Sequence, residues 1–172
     1  MLLPSDADLL RTSHHLFYEI WMFYESGKYL KYDSRTDAVL TNVHLESFAI
    51  HGRALLNFFY FEAKQDDVIA EHYIKNWKSL CPPISEKLER ISKRVGKEIA
   101  HLTYSRLEVT PETKGWDVGM EQEIHQVVKK FQENTPKHLV VEKLLYLRPE
   151  DRKTLPVPTS NARRLYTTNT ST

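Results

Sequence analysis

The sequence is short of the residues that staple, break or span. It has one cysteine in 172 residues, Cys81, so no internal disulfide can form and a reducing cytoplasm is the expected setting. No base stands near Cys81 in the sequence, and Pro82 and Pro83 beside it mark a structural position between helices. With five glycines there is no glycine-rich phosphate loop. No stretch alternates apolar and polar residues long enough to demand strands, and no run approaches the ~18 apolar residues of a membrane span. Met1 to Asp8 carry neither a basic region nor a long apolar core, so a secretory signal is not expected. Net charge is nearly absent: 24 basic against 23 acidic residues leave +1, which excludes a broad duplex-coating surface but allows a local basic strip.

What is present has the balance of one soluble globular domain, 41% hydrophobic and 27% charged. Helical spacing dominates. A first helix is expected from about Ser5 to Tyr29, with Ser5 and Asp6 as caps, Leu9, Leu16, Phe17, Ile20, Trp21, Phe23 and Tyr24 as its stripe, and Gly27 near its end. A second, from about Ser34 to Glu62, is apolar around most of its circumference, which predicts burial in the middle of a bundle. Asp66 to Trp77 reads as a short helix or ordered connection anchored by Trp77. Pro82 and Pro83 introduce a third long helix reaching Arg106, with Ile84, Leu88, Ile91, Val95 and Leu102 as its buried side. A loop over Pro111 to Gly119 precedes an amphipathic helix ending near Glu133. Thr135-Pro136 then resembles the opening of a last short helix. The expected fold is all-α, an antiparallel up-and-down bundle of four to six helices over residues 1–148, with a polar, flexible tail over 149–172.

Polar residues on these helices form the candidate sites. At about 100° per residue, His44, Ser47 and His51 share one side of the second helix, and Glu46, Arg53 and Asn57 nearly the opposite side. The first line is expected to hydrogen-bond across the bundle, and Arg53 to pair with an acid from another helix. On the third helix Arg94, Glu98, His101 and Ser105 border the apolar stripe, where a groove or subunit interface would begin; Arg106 falls on the core side. Arg94 and His101, seven residues apart, would project from one face roughly 10 Å apart along the axis. A guanidinium can hold a phosphate, and an imidazole titrates near neutral pH. Glu98 and His101 also have the Glu-x-x-His spacing of carboxylate-bridged metal bundles, but such sites need a second copy, which is lacking, so neither metal nor cofactor is expected. Tyr18, Trp21, Phe23, Tyr24, Tyr29 and Tyr32, with Lys28 and Lys31 nearby, offer base stacking or, more simply, helix packing.

Two segments, Glu46-Ser-Phe-Ala-Ile-His51-Gly-Arg53-Ala-Leu-Leu-Asn57-Phe-Phe59 and Lys97-Glu-Ile-Ala-His101-Leu-Thr103-Tyr-Ser-Arg106, resemble the HEPN superfamily, nearest to a bacterial group akin to its abortive-infection members. The resemblance covers roughly residues 10–135. It implies a dimeric helical bundle. It also implies a metal-independent endoribonuclease of toxin or phage-defence type, whose Arg-x4-6-His site forms between two subunits; only Arg94 and His101 match. Arg94 would bind the scissile phosphate of a single-stranded RNA, and His101 would move the proton of the attacking 2′-hydroxyl. Val95 stands where active members often carry a polar residue. The alternative the family offers is a non-catalytic module that binds nucleic acid or a protein such as an antitoxin.

Overall fold

The computed structural model describes residues 4–32, 37–64, 66–100, 103–108, 116 and 118–149. Among them are seven α-helices and no strand: α1 (Asp6–Tyr32), α2 (Ala38–Tyr60), α3 (Ala70–Tyr73), α4 (Trp77–Leu80), α5 (Glu86–Arg94), α6 (Met120–Asn134) and α7 (Glu142–Tyr146). Four of these are long and three are single turns, so the all-α expectation holds. The expected tail lies outside the described residues apart from Pro149, as does most of the loop before α6. No helix among the described residues is long and apolar enough to cross a membrane.

Caps written into the sequence start the long helices. The Ser5 hydroxyl accepts from the Asp8 amide at 3.2 Å and donates to the Asp8 carboxylate at 2.6 Å, a reciprocal box at the head of α1. The Asp37 carboxylate accepts from the amides of Val39 and Leu40, so α2 begins four residues later than its apolar pattern predicts. Thr135 acts at the other end of its segment from that expected. Its hydroxyl donates back to the Phe131 carbonyl at 2.7 Å, closing α6 rather than opening the next turn.

α1 and α2 pack antiparallel and unusually close. Gly27 lies inside α1, not near its end, because the helix continues to Tyr32. A β-carbon there would lie 2.7 Å from Glu121 Oε2 and 2.9 Å from the Phe48 ring. In α2, a β-carbon on Gly52 would lie 2.8 Å from the Met120 terminal methyl and 3.1 Å from Phe23. The missing atoms let Phe23 and Phe48 stack with centroids 4.6 Å apart. They also leave a niche for Glu121, nearly buried, whose carboxylate stands 2.9 Å from Lys31 Nζ as an ion pair rather than an aligned hydrogen bond.

A second core region gathers around Phe131 of α6. Phe58, Phe59, Tyr73 and Trp77 all set their rings edge-on to it, with centroids 5.3 to 5.7 Å away. The buried polar tips are satisfied: Trp77 Nε1 donates to the Phe59 carbonyl at 2.8 Å and Tyr73 to the Leu9 carbonyl at 2.9 Å. Gln132 donates to the Leu144 and Leu147 carbonyls and fastens α7 to α6.

Alanine at position 27 gains about 1 kcal/mol of helix propensity. It must also displace a fully buried ring and a paired carboxylate, at about 1–3 kcal/mol. Gly27→Ala is therefore expected to lower the urea midpoint, and by more than Gly52→Ala, where the nearest atom is the free end of a methionine. The reverse order in urea denaturation would contradict this account.

Candidate functional site

The helix that carries Arg94 is short because its winding changes. Ser85 caps α5 by accepting from the Leu88 amide, and its hydroxyl donates to Glu123 of α6 at 2.6 Å. Leu88, Ile91 and Val95 are buried, so Val95, anomalous in the expected motif, serves the core. The α-helix ends at Arg94, and Val95–Ala100 continues as a π-helix, bonded i→i+5. The single helix to Arg106 is not formed. The α-helical spacing that put Arg94 and His101 on one face therefore does not run through the intervening residues. His101 itself lies outside the described residues.

Arg94 is engaged within its own chain. Its Nε donates to Glu98 Oε1 and its NH2 to Glu98 Oε2, both at 2.8 Å, and the guanidinium carbon lies 4.4 Å from the centre of the Trp116 ring. The hydrogen bonds to Glu98 hold the Arg94 pKa above its ordinary value, against the opposing effect of burial. This two-point pair, with side chains 28% and 20% exposed, occupies the fork that would otherwise grip a phosphate.

Two downstream residues close the widened turn. The Thr103 hydroxyl donates to the Lys97 carbonyl at 2.8 Å and Arg106 NH2 to the Ile99 carbonyl at 3.3 Å. Arg106 is exposed, not on the core side, because Tyr104–Glu108 is a 3₁₀ turn rather than more α-helix. The backbone of Ser105 lies in that turn.

The polar line on α2 behaves as its spacing predicts. Moving along α2, His44 stacks on Tyr29 with centroids 3.9 Å apart, Ser47 accepts from Ser26 at 2.8 Å, and His51 Nδ1 lies 2.6 Å from Glu19 Oε2. All three partners are on α1. Tyr18 sets its ring edge-on to His51, and buried Tyr24 shares a hydrogen bond with His125 Nδ1 at 2.9 Å. The aromatic region of α1 is thus mostly packing, with Lys31 committed to Glu121.

Arg53 departs from expectation. Among the described residues it has no carboxylate at ion-pair distance and donates no hydrogen bond. It leans on Gly96, where a β-carbon would lie 3.3 Å from its NH1, and lines a cleft of about 880 Å³ between α2, the 61–69 segment and α5. No group of three or more potential metal ligands converges among the described residues. The sequence reading missed Trp116, which follows no periodic pattern, and the Lys31–Glu121 pair, whose partners lie on helices of unrelated register.

Comparison with protein-family models, curated proteins and solved structures returned no match.

Cys81 is held inert. Burial pushes its thiol up to about 11, outweighing the neighbouring Tyr60 hydroxyl, which pulls it down. At pH 8 roughly one thiol in a thousand is ionised. Iodoacetamide is expected to alkylate native Cys81 at least about thirtyfold more slowly than the guanidinium-unfolded chain, with a rate that climbs as pH rises toward 10. Equal rates in the two states would refute the assignment.

Proposed function

We propose that this chain is a non-catalytic helical module of HEPN type that works by docking a partner, first of all a second copy of itself. The observation that carries this reading is an uncovered apolar stripe on the first half of α2. Val39, Leu40, Val43 and Ile50 are 73%, 42%, 53% and 48% exposed, whereas Phe48, Ala49, Leu55 and Leu56 on the same helix are 0% exposed. Positions 39, 43 and 50 recur at intervals of four and seven and so share one face. The expectation that α2 is buried all round therefore fails for this half. Each large apolar side chain left in water forgoes about 1.5–3 kcal/mol of burial, and a run of them marks an interaction surface.

The self-docking reading predicts a dimer at micromolar concentration by light scattering. It predicts that Val39→Glu with Val43→Glu yields a monomer of unchanged far-ultraviolet circular dichroism. A wild-type chain that stays monomeric at 100 μM (about the upper range of such assays) would count against it.

The second reading is the metal-independent endoribonuclease. It is favoured by the position of Arg94, only partly buried and beside an aromatic face on which a base could stack. It requires an RNA phosphate to displace Glu98 from the guanidinium. That mechanism predicts cleavage of single-stranded RNA in EDTA, lost in Arg94→Ala and in His101→Ala and enhanced in Glu98→Ala. The docking reading predicts no cleavage by any of the four proteins.

A further inference from the structure

The α2–α5 cleft is separate from both the apolar stripe and the Arg94–Glu98 pair, and its contents are chemically specific. Arg53 projects from α2 into it with its fork unused, half-buried against Gly96. Asn57, one turn further along the same face, borders the same space. Phe58 and Phe61 supply apolar surface beside them, one buried and one exposed at its rim. At about 880 Å³ the cleft has the size of a small-molecule site.

The charges around Arg53 define what fits. Three basic residues (Arg53, Lys64, Lys93) and three acidic ones (Glu62, Asp67, Glu89) line the cleft, so its formal charge is zero. Two of the acids have local partners: Asp67 accepts from the Lys64 amide at 3.0 Å, and Glu89 lies 4.0 Å from Lys93. A polyanion would meet three carboxylates, which disfavours nucleic acid here. A single negative charge next to an apolar body meets a planar fork and aromatic walls. Guanidinium and carboxylate match in a two-point geometry that an ammonium lacks, and pairing would relieve a partly desolvated cation that has no acceptor.

We propose that this cleft binds a small organic monocarboxylate with an apolar or aromatic body, its carboxylate seated on Arg53 and its body on Phe58 and Phe61. Gly96 takes part by absence: a side chain there would press on Arg53 and tilt its fork away from the open space.

4-Phenylbutyrate is a suitable probe, followed by ligand-observed NMR and by titration of the full chain. The expected result is saturable binding, at least tenfold weaker for 4-phenylbutanol, which keeps the body but not the charge. Inorganic phosphate is expected to compete poorly. Arg53→Gln is expected to lower affinity at least tenfold with unchanged circular dichroism. Arg53→Lys, which keeps the charge and the stem, is expected to fall in between. Failure of 4-phenylbutyrate to bind, equal binding of the alcohol, equal binding of phosphate, or affinity unchanged in both Arg53 variants would each overturn the proposal. Because the cleft is remote from Val39 and Val43, its occupancy does not depend on whether the chain dimerises.

Discussion

The near-contact of α1 and α2 is the constraint on which the other features depend. Two side chains reduced to hydrogen, one on each helix, let a pair of phenyl rings lie flat against each other in the seam. Once the helices are that close, short polar side chains suffice to span them, which is why serine reaches serine and histidine reaches glutamate across the same seam. The seam also sets the place of α6, whose first turn inserts a methionine and a carboxylate into the space left by the glycines. Widening the seam by one methyl group would loosen all of these contacts together, since interiors at this density have little slack.

Much of this was legible from residue order alone. The long helices, the serine and aspartate caps, the amphipathic face of α6 and the line from His44 to His51 follow from local periodicity and from side chains that satisfy their own neighbours' amides. The features that were not legible depend on what meets across space. Gly27 reads as a terminator because glycine ends helices more often than it lies inside them; only the arrival of Phe48 and Glu121 reveals its purpose. Arg53 was expected to find an acid, since a charge on an apolar helix usually does, yet the facing surface offers Gly96. Residue order does not show which helix will stand opposite.

Arg94 shows how two readings of one segment compete. Counting by sevens joins it to His101, and counting by fours joins it to Glu98. The shorter interval needs no partner chain and no undisturbed helix beyond it, and the two-point geometry with Glu98 has formed. Arg106 shifts for a related reason: the phase that placed it inward assumed uniform winding as far as Glu108, and the winding changes twice before then.

That change of winding affects how the chain can vary in length. A π-helical turn holds more residues than the α-turn it replaces, so Val95–Ala100 carries slack that no other described part of the bundle has. Loss of a single residue there could be absorbed by tightening the coil, with α5 and the core beneath it left in place. Whatever follows would then swing by about 100° around the axis. The stretch is thus a built-in phase adjuster, through which a small edit could re-aim the far end of the domain without touching its foundations.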